Sequence, residues 1–269
     1  MLTTTEGIVL KTQKYAEADL IITHLTLSRG IIKTFAKSPR KTKSRFGSSL
    51  EPLTHAKITM VGKEQAMPRI IHADILKSFH TLRENFHDFV NMSKLAEILI
   101  SLMPEGMPNK KLFLFFLNIM ILLESLNPVR KTNSSLPVRQ TGNGVNQKQK
   151  DSLYLISRIH LLALLGYAPR LKGCGKCGIK SFDFYPDSGT TMCKKCAIAR
   201  IEKKVSPIKI TDSIVKFYSH CLGWHIQTSI RLKPPKEIIS TLSALLEEHL
   251  NHLLNRRLMT SEFLTKIQQ

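Results

Sequence analysis

The chain has 269 residues, 42% of them hydrophobic, and 40 Lys and Arg against 20 Asp and Glu, for a formal net charge of +20. This is a globular composition on a chain long enough for two domains, each with its own core. The longest apolar run, residues 112–123 interrupted by Asn118, is too short to span a bilayer, so a membrane protein is not expected and an affinity for polyanions is.

Residues 5–76 read as strands. Glu6-Gly7-Ile8-Val9-Leu10 opens one run and residues 20–27 form a second. Ser28-Arg29-Gly30 turns into a third, residues 31–36, and residues 55–61 and 69–76 follow. These are β-branched segments of strand length bounded by turn residues. Five short strands so close together predict a small barrel, for which an OB-like barrel is one economical closure.

From Phe79 the period changes. Leu82, Phe86, Phe89 and Val90 are spaced for a helix face, as are Leu95, Ile98, Leu99 and Leu102, and Pro104 and Pro108 end that run. Residues 110–126 predict a helix that is apolar almost all round and therefore central. Asn127-Pro128 stops it. Residues 128–150, rich in Asn, Gln, Ser, Thr and basic groups, are expected to form an exposed, mobile insert. Residues 152–165 predict a helix closed by Gly166. Helices return over 212–222 and from Pro235 to about residue 256, where Pro234-Pro235 suits a helix start. The expected organisation is a barrel domain over 1–79 and a helical domain over 80–269, the latter holding a cysteine element at 170–204.

Four of the five cysteines fall as Cys174-x2-Cys177 and Cys193-x2-Cys196, with fifteen residues between the pairs. This is structural-zinc spacing: two knuckles each present two thiolates, and the hairpin between them closes a tetrahedron. Two disulfides or a redox pair are competing uses of the same residues. The opening Met1-Leu2-Thr3-Thr4-Thr5-Glu6 has no basic region and no apolar stretch follows it, so no secretory signal is expected. In the cytoplasm thiols stay reduced, and paired CxxC motifs there read as metal ligands. A filled four-sulfur shell leaves no open position for water or substrate, which points away from metal catalysis. Gly173-x-Gly175-x-x-Gly178 spells the dinucleotide fingerprint, but Pro169 precedes it and Ser181-Phe182-Asp183 follows, where a strand and a helix are needed. The glycines are expected to make the knuckle turns. Cys221, in an apolar helical stretch, is expected in the core.

Charge placement is more informative than its total. Between Leu20 and Leu50 there is no acid, while Arg29, Lys33, Lys37, Arg40, Lys41, Lys43 and Arg45 all occur. Residues 36–45 read as a loop in which cations alternate with hydroxyls. Such a loop suits phosphate oxygens, the cations attracting and the hydroxyls donating hydrogen bonds. A merely solvated basic loop is the plain alternative. The barrel offers few aromatic residues, namely Tyr15, Phe35 and Phe46, with Phe35 expected inside. Base stacking is therefore expected to contribute little, leaving a backbone grip with free base edges. Arg170, Lys172, Lys176, Lys180, Lys194 and Lys195 either extend this field or offset the net charge of about −2 of a zinc tetrathiolate. HExxH, a Walker loop, a nucleophile elbow and the His-x-Glu of zinc deaminases are missing, so neither an enzyme nor a small-molecule substrate is expected. His249 and His252 share a helix face and read as surface or core positions.

Glu6-Gly7-Ile8-Val9-Leu10-Lys11, Tyr15-Ala16-Glu17-Ala18-Asp19, Leu25-Thr26, Gly30, Ala36-Lys37 and Lys43-Ser44-Arg45-Phe46, in that order, resemble the opening barrel of the RecO family of bacterial DNA-repair proteins. Leu164-Leu165-Gly166-Tyr167-Ala168-Pro169-Arg170-Leu171 leading into Cys174 resembles its helix-to-zinc junction. Leu258-Met259-Thr260-Ser261-Glu262-Phe263-Leu264 resembles its closing segment. The resemblance implies an α+β chain: an N-terminal OB-fold β-barrel, then an α-helical domain with an embedded four-cysteine zinc element. It also implies a cytoplasmic, non-enzymatic recombination mediator of the RecF pathway type. Such a protein binds single- and double-stranded DNA, anneals complementary strands, and with RecR loads RecA onto DNA coated by single-strand DNA-binding protein. A zinc-stabilised protein–protein adaptor with only non-specific nucleic-acid affinity is the competing function. Two departures stand out. Ser38-Pro39 replaces a glycine-containing turn, and the 128–150 connection is longer than the family's.

Overall fold

A computed structural model of the chain describes residues 1–39, 46–63, 66–127, 143–199 and 205–267. The chain divides into two compact units, Met1–Val129 and Arg130–Ile267.

The first unit opens with five strands: β1 (Leu2–Tyr15), β2 (Asp19–Thr26), β3 (Gly30–Ala36), β4 (His55–Val61) and β5 (Arg69–Lys77). They close into a barrel of order β1-β2-β3-β5-β4. β1 is long enough to serve two neighbours. Its first half pairs with β4, from Leu2↔Val61 to Ile8↔His55, and its second with β2, from Gly7↔Thr26 to Tyr15↔Asp19. The β1–β2 register slips between Val9 and Lys11, and such an extra residue bends a strand around a barrel corner. The seam closes in parallel at Phe35↔Arg69, where the Phe35 N–H donates to the Pro68 carbonyl at 2.9 Å. This five-stranded barrel, antiparallel except at its seam, has the OB-fold architecture. Alternation along the strands sends Val9, Ile22, Ala36 and Ile70 inward, where Phe46 and Leu50 join them.

Three helices belong to the same unit: α1 (His80–Glu84), α2 (Phe86–Leu102) and α3 (Lys110–Ser125). The division by contacts thus falls after 129, whereas sequence pattern divides strands from helices at 79. Asn85 caps α2 by accepting from the Asp88 N–H, and Asn109 caps α3 by accepting from the Leu112 N–H, both at 3.1 Å. α3 buries Leu112, Phe113, Phe116 and Met120, but it is not enclosed all round: Leu114 and Ile121 are 42% and 40% exposed. An apolar residue lowers the free energy by burial but is not compelled inside, so composition overstated how central this helix is.

The second unit begins with α4 (Asn143–Leu165), followed by β6 (Asp183–Tyr185), β7 (Thr190–Thr191), α5 (Lys194–Ile198) and β8 (Ile208–Lys209). Then come α6 (Asp212–Gly223), α7 (Ile226–Ser229), α8 (Lys236–Leu254) and α9 (Met259–Ile267). α4 starts at Asn143, so residues 143–150, expected in the insert, are helical. Gln and Lys are good helix formers, and a polar run of them extends a helix into solvent as readily as it makes a loop. The rest of the expected insert, 128–142, lies outside the described residues. α4 ends as expected: Gly166 has φ +83° and the Tyr167 N–H donates to the Leu162 carbonyl at 2.8 Å. α4 packs against α6 and α8, with Ile156, Ile159, Leu162, Leu242, Leu246 and Cys221 in the core. Among the described residues no helix is long and apolar enough to cross a membrane.

Candidate nucleic-acid interface and metal centre

Of the seven cations singled out between Leu20 and Leu50, Arg29, Lys33 and Lys37 are described, and Arg40, Lys41, Lys43 and Arg45 lie outside the described residues. Arg29 sits in the β2–β3 turn, half-buried, its N–H donating to Thr26 Oγ1 at 3.1 Å. Lys33 and Lys37 are exposed, Lys33 on the outer face of β3 and Lys37 just beyond its end. The strand then leaves the barrel through Ser38, whose φ of +54° is left-handed. That conformation costs a non-glycine residue energy, and here the Ser38 N–H is held by Asp19 Oδ1 at 2.7 Å. This is the position where the resemblance leads one to expect a glycine turn. The backbone keeps a glycine-like conformation, and a carboxylate from β2 compensates for the side chain.

The acid-free sequence is not acid-free in space. Glu105, in the segment between α2 and α3, reaches Lys33 with Oε1–Nζ at 2.5 Å. The segment lies along β3, the Gly106 N–H donating to the Ile31 carbonyl at 2.8 Å, with an isolated parallel bridge at Ile31↔Glu105. Gly30, with φ +65°, has no room for a Cβ because the Met107 carbonyl occupies it. Neither Glu105 nor Asp19 was found by reading sequence. Contacts across the fold carry no signal in a local charge run.

Phe35 is a second correction. It was expected inside, but the interior of β3 is taken by Ile32, Thr34 and Ala36, and Phe35 shares the outer face with Lys33. It is half-buried, and Tyr15 meets it edge to face at 5.9 Å and 87°. Phe46, by contrast, is buried.

Cys174, Cys177, Cys193 and Cys196 come together as expected, their four Sγ atoms all within 4.8 Å of one another. A sulfur tetrahedron around a metal at ~2.3 Å has edges of ~3.8 Å, close to the 3.6 Å between Cys177 and Cys193. The first knuckle is built by the Gly178 N–H on the Cys174 carbonyl at 2.9 Å and the Cys174 N–H on the Ile179 carbonyl at 2.8 Å. Gly173 and Gly178 sit at φ +75° and +77°, which is why glycines stand there. The second pair is held by the three-stranded sheet of order β7-β6-β8 and by the first turn of α5. Backbone N–H groups of Cys177 and Cys193 aim at the Cys174 sulfur and push its thiol down to about 6. The thiol of Cys196 is pushed up to about 12 because its hydrogen bonds with the Cys193 and then the Cys177 sulfur hold its proton. Four thiolates this close need a cation, so the donor set fits a metal ion with an affinity for sulfur. Around the cluster Arg170, Lys172, Lys176, Lys180, Lys194 and Lys195 are all exposed, Lys180 being paired with Asp212 at 3.1 Å.

The barrel and the cysteine element each have counterparts among known proteins. Residues 1–79 match the model of the recombination protein O N-terminal region and residues 145–262 that of its C-terminal region. The chain belongs to the RecO family. The DNA repair protein RecO of Thermodesulfovibrio yellowstonii is 36% identical over 248 residues, covering 91% of each chain. That of Desulforamulus reducens is 25% identical over 97% of this chain and 93% of its own. That of Dehalococcoides mccartyi strain 195 is 26% identical over 94% and 90%. The RecO N-terminal match coincides with the OB barrel, and the C-terminal match contains the whole cysteine cluster. The family is one of DNA repair and recombination proteins.

Proposed function

We propose that this RecO-family protein is a DNA-binding recombination mediator without an enzymatic reaction of its own. It binds single- and double-stranded DNA and anneals complementary strands. With RecR it helps load RecA onto DNA coated by single-strand DNA-binding protein, in the cytoplasm. Arg29, Lys33, Lys37, Arg40, Lys41, Lys43 and Arg45 contact the sugar-phosphate backbone, and the four cysteines hold one structural zinc ion. The observation that carries this is a run of seven cations, acid-free in sequence, that begins in the β2–β3 turn of an OB barrel, on a chain whose relatives are DNA repair proteins. Clustered cations on an OB barrel suit a polyanion gripped along its backbone. A tetrathiolate shell is coordinatively complete, which favours zinc as a structural rather than a reactive ion.

The test is to replace Lys37, Arg40, Lys41, Lys43 and Arg45 together by Ala. Single-strand affinity and the rate of annealing of complementary oligonucleotides, with and without single-strand DNA-binding protein, should fall at least tenfold or so, with the circular dichroism spectrum unchanged. Undiminished annealing would remove the phosphate grip and favour a protein–protein adaptor.

A further inference from the structure

Beside the basic stretch the outer wall of the barrel carries a surface that the charge pattern does not explain. Gln13, Ile21, Phe35 and Arg69 occupy one row across β1, β2, β3 and β5, through the pairs Gln13↔Ile21, Ile21↔Phe35 and Phe35↔Arg69. Residues paired in register project from the same face, so Ile21 and Phe35 form a small apolar floor there. Both are half-buried, while Gln13 and Arg69 are exposed. Tyr15 stands beside this floor, 55% exposed, its ring perpendicular to that of Phe35 with centroids 5.9 Å apart. Lys33 and Lys37, two residues to either side of Phe35, and Arg69 on β5 are exposed along the same part of the wall, Lys33 being paired with Glu105. Two acids are also near Tyr15 in the fold: Asp19, its partner across β1 and β2, which accepts from the Ser38 N–H, and Glu17 in the turn between them.

An exposed aromatic ring packed perpendicular to a second one, on a wall that also carries cations, has the parts of a stacking site. Cations hold phosphates, and an exposed ring offers a face to the flat face of an unpaired base. Duplex DNA cannot use such a site, because its base faces are already stacked on one another. Resting on the polynucleotide reading above, we propose that Tyr15, packed against Phe35, is a base-stacking platform for single-stranded DNA. It gives the protein a preference for unpaired strands that the phosphate grip alone does not supply. One base is held by its face, so its hydrogen-bonding edge stays open to a complementary strand.

The experiment compares the full-length protein with Tyr15→Ala and Tyr15→Trp, using oligo(dT) and a duplex of equal length at several salt concentrations. Tyr15→Ala should weaken oligo(dT) binding by about tenfold, since one stacked base contributes roughly that factor. Its salt slope should equal that of the wild type, because stacking releases no counterions. Duplex affinity should stay within about twofold. Tyr15→Trp should restore oligo(dT) affinity, and its added fluorescence should be quenched on binding. Tyr15 is exposed, so both variants should unfold at the wild-type temperature. Unchanged oligo(dT) binding in Tyr15→Ala, or equal loss for oligo(dT) and duplex, overturns the platform. If the five-cation variant loses binding to both DNAs while Tyr15→Ala is silent, only the platform falls. If the five-cation variant is silent as well, the polynucleotide reading falls with it.

Discussion

Ser38 shows what a single residue contributes at the end of β3. A left-handed backbone at a non-glycine residue costs roughly 1 kcal/mol or more, and the Asp19 carboxylate on the Ser38 N–H offsets part of that cost. Ser38→Gly removes the Cβ strain and keeps the N–H, so it should raise stability by up to ~1 kcal/mol in urea unfolding, with little change in DNA affinity. A loss of stability would mean that the serine side chain itself holds the turn. Lys33 makes a related point. Its place in an acid-free run is visible in sequence, but its partner Glu105 lies far along the chain, so a contact of Lys33 with phosphate has to displace an acid that the local sequence does not show.

At the scale of elements, the strands were legible because β-branched runs between turn residues have few alternatives. β2, β3, β4 and β5 lie within a residue or two of where the pattern puts them. What failed was what pattern does not encode. Phe35 faces outward because the β3 interior is filled by the residues on either side of it. α9 was not foreseen, nor was the two-residue β8, which pairs with β6. The cysteine element was legible in its ligands but not in its attachment. His249 of α8 places Nε2 2.9 Å from the Tyr167 carbonyl and Nδ1 3.3 Å from the Pro186 carbonyl, and thereby ties the β6–β7 turn to the helical core. Loss of metal should therefore be felt in the helices. Cys174→Ser should abolish stoichiometric zinc in the purified protein and lower Tm by several degrees, since binding energy at a structural site is folding energy. Protein that contains no zinc when purified without chelator, or a Cys174→Ser variant that unfolds like the wild type, would contradict a structural ion.

At the scale of the whole molecule, both units contribute to a strongly basic chain. A net charge of +20 draws in a polyanion from solution, but specificity of mode depends on where the cations are fixed. The family and the barrel were legible from motifs spread along nearly the whole chain. The acid on Lys33 and the outward aromatic pair were not, because both arise from residues that only folding brings together. Of the seven cations proposed to contact phosphate, Lys33 must exchange Glu105 for it, so about six full contacts are expected. Each contact with single-stranded DNA contributes about −0.7 to the slope of log affinity against log salt.

The most direct measurement is that slope, taken with oligo(dT) between about 50 and 200 mM salt for the wild type and for the variant lacking Lys37, Arg40, Lys41, Lys43 and Arg45. The expected result is a slope near −4, with affinity falling by more than about a hundredfold across the range, and a slope near −1 in the variant. A wild-type affinity indifferent to salt, or the same slope in both proteins, would contradict a backbone grip by these residues.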